Sequence, residues 1–341
     1  MKKIRLVVIF GILFFSILGF TNLGFTPIYF EIPTGFPKPV YDFKANPLTK
    51  EGFELGRKLF YDPVVSKDST ISCANCHLQQ TGFTHVDHDL SHGINGKIGI
   101  RNSLTLQNLA WSKSFMWDGG VNHLDVQAIA PITSEVEMNE TLENVVEKLN
   151  KNQDYKKLFL KAFGSPNITG QLTLKAISQF VVSLTTSNSK YDKVIRKEEQ
   201  FTEIEEKGYE LFKQNCASCH TEPLFTNYAF KNNGLPLDKT LNDLGRMKIT
   251  QNPKDSLKFK VPTLRNVEFT FPYMHDGRFK NLTDVLKHYN LGIQKSKTLS
   301  EELQKPMNLS DNQRIEIISF LKTLTDKTFL FNPKYGFPKN K

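Results

Sequence analysis

A chain of 341 residues is longer than one ordinary domain and suits two. Its 39% hydrophobic and 23% charged residues are typical of a globular protein and exclude a disordered one. The formal charge of +9 lies in stretches of mixed sign without a long block of like charges, which indicates a solvated surface and argues against nucleic-acid binding.

The first 25 residues are typical of an export segment. Lys2, Lys3 and Arg5 precede an apolar run from Leu6 to Phe20. That run is shorter than the roughly 20 apolar residues of a membrane span. No small-x-small cleavage site follows it, so residues 1–25 are predicted to be either a signal peptide or an uncleaved N-terminal anchor. Either alternative exports the rest of the chain.

The exported part contains the same series of sequence motifs twice. "GFELGRKLFYD" at 52–62 returns as "KGYELFKQN" at 207–215, and "ISQFVVSLTT" at 177–186 returns as "IISFLKTLTD" at 317–326. Landmarks repeated in the same order indicate a duplicated domain. We therefore predict a first domain over 45–195 and a second over 200–328, with a linker at 187–200.

Helical periodicity dominates both halves. A capping box, Ser310 with Gln313, precedes apolar residues at helical spacing. Long loops are predicted at 78–104 and 221–262, and the signal for strands is weak. The class is mainly α.

The pentapeptides "CANCH" and "CASCH" contain all four cysteines of the chain. Two cysteines at this spacing can bind zinc, form a redox dithiol or carry haem, and a following histidine in an exported chain points to c-type haem attachment. We expect two covalent c-type haems in two tandem class I cytochrome c-like domains, with each histidine on its iron. The attachment residues are Cys73, Cys76 and His77 in the first motif and Cys216, Cys219 and His220 in the second.

A simple electron carrier would cap the far side of each iron, often with methionine. The first half offers no clear candidate. Its methionines after the export segment are Met116 and Met138, and its spare histidines are His85, His88, His92 and His123. This census favours one reactive haem.

Three long stretches resemble the bacterial dihaem cytochrome c peroxidases and their MauG relatives. They are "GIRNSLTLQNLAWSKSFMWDGG" at 99–120, "QAIAPITSEVEM" at 127–138 and "VPTLRNVEFTFPYMHDGRFKNLTDVLKHY" at 261–289. The resemblance runs from about 45 to 327. It implies a periplasmic peroxidase that reduces hydrogen peroxide with electrons from a small cytochrome c or copper protein.

The resemblance also assigns roles to residues near the first haem. Trp117 matches the tryptophan that passes electrons between the haems, and Gln127 and Glu137 match the distal polar pair at the peroxide site. Pro131 matches a further pocket position. Some relatives place a histidine ligand where this chain has Ile94, so the first haem is expected to lack a fixed sixth ligand, with His92 as the less favoured alternative.

A calcium site between the domains is likewise implied by the resemblance. Asn102, Thr270 and Pro272 match its positions, and oxygen ligands suit this hard cation. His275 is expected to hold the interdomain loop by hydrogen bonds and not to bind iron.

The second haem's distal ligand is methionine in typical peroxidases and tyrosine in MauG, and here the matching residue is Tyr289. Met274 and Met307 are weaker candidates, and Tyr289 as an ordinary half-buried helix residue stays open. The tyrosine keeps a MauG-like oxidation of a partner protein as an alternative function, beside a non-catalytic electron carrier. The oligomeric state is left open, with a homodimer as one option.

Overall fold

The computed structural model describes residues 24–338, so the apolar run predicted as an export segment lies outside them. Within 24–338, no helix is long and apolar enough to cross a membrane. The helices of the first half are α1 Lys50–Tyr61, α2 Cys73–Cys76, α3 Leu124–Gln127, α4 Ile129–Thr133, α5 Leu142–Lys151, α6 Gln153–Phe163 and α7 Gly170–Val182. Those of the second half are α8 Lys190–Ile195, α9 Glu203–Asn215, α10 Met247–Thr250, α11 Leu282–Lys287, α12 Asp311–Lys322 and α13 Lys327–Leu330.

Strand content in these residues is small, as expected for a mainly α chain. Two residues of β1, Phe230–Lys231, pair antiparallel with two of β2, Phe259–Lys260. The predicted capping box holds, because Ser310 and Gln313 exchange side-chain and backbone hydrogen bonds at the start of α12.

In the first domain, the N-terminal helix α1 crosses the C-terminal helix α7 at a glycine. A Cβ on Gly56 would lie 2.7 Å from the carbonyl carbon of Ala176, so only glycine allows this approach. Beside the crossing, the rings of Phe60 and Phe180 pack with centroids 5.1 Å apart, and both are fully buried.

The second domain repeats this crossing with α9 and α12. A Cβ on Gly208 would lie 2.6 Å from the carbonyl carbon of Glu316. Phe212 and Phe320 repeat the aromatic pair at 5.0 Å, again fully buried. The same glycine and the same phenylalanine pair at both crossings confirm that the domains are related by duplication.

The segment predicted as a linker is more ordered than that prediction implied. Ser189 and Asp192 form a capping box that starts α8, and Tyr191 packs in the second domain's core. Asp192 accepts two hydrogen bonds, at 2.9 and 2.8 Å, from the fully buried guanidinium of Arg265. Because a buried guanidinium needs a carboxylate partner, this helix is fixed to the second domain.

Two further contacts join the domains. The side chain of Arg101 binds Asp118 of its own domain and Asp243 of the second domain, both at 2.6 Å. After α12 the chain returns to the first domain, where Phe329 and Leu330 join its hydrophobic core.

Candidate active site

The first pentapeptide forms one helical turn beside a small cavity of about 50 Å³. Ser72 and Asn75 form a capping box that begins α2, and His77 follows as its C-cap. The His77 Nδ1 atom lies 2.8 Å from the carbonyl oxygen of Phe83. Because a carbonyl only accepts, Nδ1 carries the proton and Nε2 keeps its lone pair. Burial lowers the pKa of His77 to about 4, which favours the neutral, metal-binding form.

The residues expected at the peroxide site line this same cavity. Gln127, Pro131 and Glu137 share it with Cys73, Cys76 and His77. Burial raises the pKa of the Glu137 carboxyl, opposed by a hydrogen bond from Ser134. The Gln127 Nε2 atom lies 3.7 Å from the sulfur of Met116. A carboxyl with a raised pKa and a side-chain amide therefore lie beside a histidine with a free lone pair.

The loop that carries Ile94 is docked onto the turn that holds Glu137. The Ile94 N–H donates to the Glu137 carbonyl at 2.7 Å, and Ile94 is only 2% exposed. A Cβ on Gly93 would lie 2.5 Å from both the Cα and the carbonyl oxygen of Glu137. Sequence reasoning missed Gly93, because nothing local distinguishes this glycine from a simple loop residue.

His92 and Met138 also line the small cavity, and Met138 is packed in the domain core. The His92 ring stacks on His88 at 3.9 Å between centroids, and His88 stacks on His85 at 5.1 Å. His123 caps α3 by accepting from Asp125 N–H. In the described part of the chain, no group of three or more His, Cys, Asp or Glu residues is arranged to hold a metal ion.

The second pentapeptide borders a larger cavity of about 210 Å³, lined by Cys216, Cys219 and His220. The His220 Nδ1 atom lies 3.1 Å from the Phe225 carbonyl, which repeats the His77 arrangement, and burial lowers the pKa of His220 to about 4. Apolar side chains form most of the remaining wall, including Leu264, Val267 and Leu286.

Tyr289 lines this cavity together with Met274 and Met307. Duplication relates it to Pro131 of the small cavity. Both domains have a turn in which a methionine adopts the left-handed backbone conformation, and a helix N-cap follows it. Pro131 lies as many residues after the N-cap His123 as Tyr289 lies after the N-cap Asn281. Burial raises the pKa of Tyr289 to about 12, so its phenolate would form only by binding a metal.

Trp117 belongs to the first domain but lines the cavity of the second. It is 8% exposed, and its Nε1–H donates to the Asn102 carbonyl at 2.8 Å. Asn102, Thr270, Pro272 and His275 line the same cavity. The Asn102 Nδ2 atom donates to the Asp89 carbonyl at 3.0 Å, which leaves Oδ1 available to a cation. The Asn102 N–H also binds the His275 carbonyl at 2.7 Å, so His275 does hold the interdomain loop.

The residues that line both cavities suit the attachment of a c-type haem. Each has two thiols at its edge, a buried neutral histidine with a free Nε2, and largely apolar walls. None of the four cysteines is paired in a disulfide, so all of them are available for thioether bonds.

Comparison with known proteins matches both halves of the chain. The family model "Di-haem cytochrome c peroxidase" matches residues 50–200, and the model "Cytochrome c" matches 205–325. The chain is 36% identical to "Methylamine utilization protein MauG" of Methylorubrum extorquens, over 86% of this chain and 83% of that protein. It is 33% identical to "Cytochrome c551 peroxidase" of Nitrosomonas europaea, over 84% of each chain. A solved structure described as a MauG-like protein associated with microbial copper homeostasis superposes with a TM-score of 0.80 at 28% identity, over 91% of this chain and 99% of that one.

Proposed function

Because the chain belongs to the family of di-haem cytochrome c peroxidases and MauG proteins, we propose that it reduces hydrogen peroxide to water with electrons from a small redox protein. One peroxide takes up two electrons and two protons and leaves as two waters. The observation that carries the proposal is the shared cavity of Gln127 and Glu137 with His77.

Haem held by Cys73, Cys76 and His77 would supply a redox-active iron for the reduction of peroxide. Residues of the chain itself transfer the proton. Glu137 would accept a proton from one oxygen of the peroxide and donate it to the other oxygen, which would then leave as water. Gln127 orients the peroxide through its side-chain amide. Since Ile94 is buried and its N–H donates to the Glu137 carbonyl, this loop would offer no sixth ligand at that position to a haem held by His77.

Electrons enter through the second domain. Cys216, Cys219 and His220 would hold the haem that transfers electrons, and Tyr289 would be a further ligand of its iron. Trp117 carries electrons onward, a role supported by its burial at the domain boundary. The donor is a small cytochrome c or copper protein.

Asn102, Thr270 and Pro272 hold a calcium ion between the domains in this proposal. It is supported by the free Asn102 Oδ1 and by the carbonyls of Thr270 and Pro272, which accept no hydrogen bond from the described residues. A periplasmic location, with residues 1–25 as signal peptide or membrane anchor, is supported by the charge and apolar pattern of that segment. A homodimer remains one option for the assembly.

A MauG-like oxidation of a partner protein is the second candidate, and Tyr289 is the observation that favours it. A phenolate is a hard, anionic ligand that stabilises ferric over ferrous iron, whereas methionine sulfur raises the potential. A tyrosine-bound haem would therefore favour high oxidation states.

Steady-state peroxide consumption with a reduced small cytochrome tests the main proposal. Glu137→Gln should lower turnover on the order of 10²-fold, because it removes a general acid–base group. Glu135→Gln, an exposed carboxyl two residues earlier, is the matched control and should leave turnover unchanged. Equal turnover in both variants would remove Glu137 from the mechanism. A parent protein that carries both haems and consumes no peroxide would leave only the electron-carrier or MauG-like functions.

A further inference from the structure

Lys260 is a buried cation in the wall of the larger cavity. It is the second residue of β2 and only 6% exposed. Its ammonium donates to the Ser114 carbonyl at 2.8 Å and lies 5.9 Å from the centre of the Phe115 ring. In residues 24–338, no carboxylate forms an ion pair with it.

The carboxylate whose charge acts on Lys260 is already engaged. Asp118 accepts from Arg101 at 2.6 Å through one oxygen and from the Gly120 N–H at 2.9 Å through the other. Burial lowers the pKa of Lys260 to about 8, opposed by the charge of Asp118, so the ammonium is still mostly protonated at neutral pH. One backbone carbonyl does not balance the charge of a buried ammonium that has lost its hydration. The missing partner is an anion in the cavity.

We propose that Lys260 binds a propionate carboxylate of the haem held by Cys216, Cys219 and His220. The inference rests on the haem attachment in the proposed function and adds a residue that neither the sequence motifs nor the family resemblance indicated. A propionate supplies the anionic oxygens that the ammonium lacks, and haem brings no other negative side groups.

Lys260 also binds the first domain by its backbone. Its N–H donates to the Trp117 carbonyl at 2.7 Å, while its side chain donates to Ser114 of the same segment. The residue therefore joins the haem carboxylate of one domain to the tryptophan segment of the other. Its charge also opposes loss of an electron from that haem, because a nearby cation favours the reduced state.

Lys231 provides a matched control in the same cavity wall. Its ammonium is paired with Glu302 at 2.5 Å, and its side chain is 30% exposed. It therefore needs no further anion, and its removal should leave the propionates unchanged.

Resonance Raman spectroscopy of the haem-loaded protein tests the contact. In Lys260→Met, which keeps the side-chain volume, the propionate bending band of the second haem should shift to lower frequency. The difference spectrum against the parent cancels the first haem. The midpoint potential of the second haem should fall in the same variant and stay near the parent value in Lys260→Arg, whereas Lys231→Met serves as the control for the propionate band. An unshifted propionate band and an unchanged potential in Lys260→Met would overturn the inference.

This outcome is separable from the proposed function, because the parent's peroxide turnover is measured independently of the Raman band. Should Lys260→Met fail to accumulate, Lys260→Gln removes the charge while keeping a hydrogen-bond donor. Its second-haem potential must then fall below that of the parent, and a potential equal to the parent's overturns the inference.

Discussion

Replacing Gly93 by alanine should disable the peroxide site, although no residue proposed to contact peroxide is substituted. The added methyl group would lie 2.5 Å from the Cα and the carbonyl oxygen of Glu137, closer than Cβ atoms approach backbone. Backbone cannot rotate away as the end of a side chain can, so the turn that carries Glu137 must move. The hydrogen bond from Ile94 N–H to the Glu137 carbonyl would be strained at the same time.

The magnitude follows from overpacking and misplacement. Forcing a methyl group into a tightly packed position costs about 1–3 kcal/mol of unfolding free energy. A catalytic group displaced by about 1 Å can lose on the order of 10²-fold in rate. We therefore expect Gly93→Ala to lower peroxide turnover about as much as Glu137→Gln does, with a modest fall in Tm.

Gly99 gives the matched control. It lies in the same loop, and a Cβ there would meet only Ser91 atoms at 3.5 and 3.8 Å, which is ordinary contact. The assay compares peroxide turnover, haem content and thermal unfolding of Gly93→Ala and Gly99→Ala. If the two variants keep equal turnover with both haems bound, Gly93 does not position Glu137 and the packing argument is wrong.

The other predictions concern electron transfer between the haems, the iron ligand of the second haem and stability at low pH. Trp117→Phe should slow electron transfer between the haems in single-turnover kinetics, whereas Trp111→Phe, which removes the chain's other tryptophan, should not; equal rates would make Trp117 only a core residue. Tyr289→Met should raise the potential of the second haem and add the near-infrared band of methionine-bound ferric haem, and that band in the unmodified protein would exclude Tyr289 as the ligand. Burial alone would raise the pKa of Asp243, but the hydrogen bonds and charge of Arg101 more than offset this and lower it to about 2. The stability contributed by this pair should therefore be complete above about pH 4 and be lost as the pH falls towards 2. Asp243→Asn should make the free energy of unfolding less dependent on pH in this range.

The sequence alone determined those features of this protein that depend on residues adjacent in the chain. The two pentapeptides contain thiols and histidine in adjacent positions, so the attachment chemistry needs no knowledge of the fold. The duplication was also readable, because repeated helix patterns keep their order along the chain, and the helix crossings at Gly56 and Gly208 confirm it. Gln127, Glu137 and Trp117 came from long motifs shared with a family, since no local pattern distinguishes them from core or surface residues.

Only the tertiary structure decided which distant residues meet. The segment 187–200 was predicted as a linker, but the buried pair of Asp192 and Arg265 fixes it to the second domain. Gly93 and Lys260 gave no signal in the sequence, because a glycine in a loop and a lysine in a strand are ordinary until their surroundings are known. Both features depend on packing between segments that are far apart in the chain. This packing brings the backbone of Glu137 too close to Gly93 for a larger residue, and it buries the Lys260 ammonium without a carboxylate partner among the described residues.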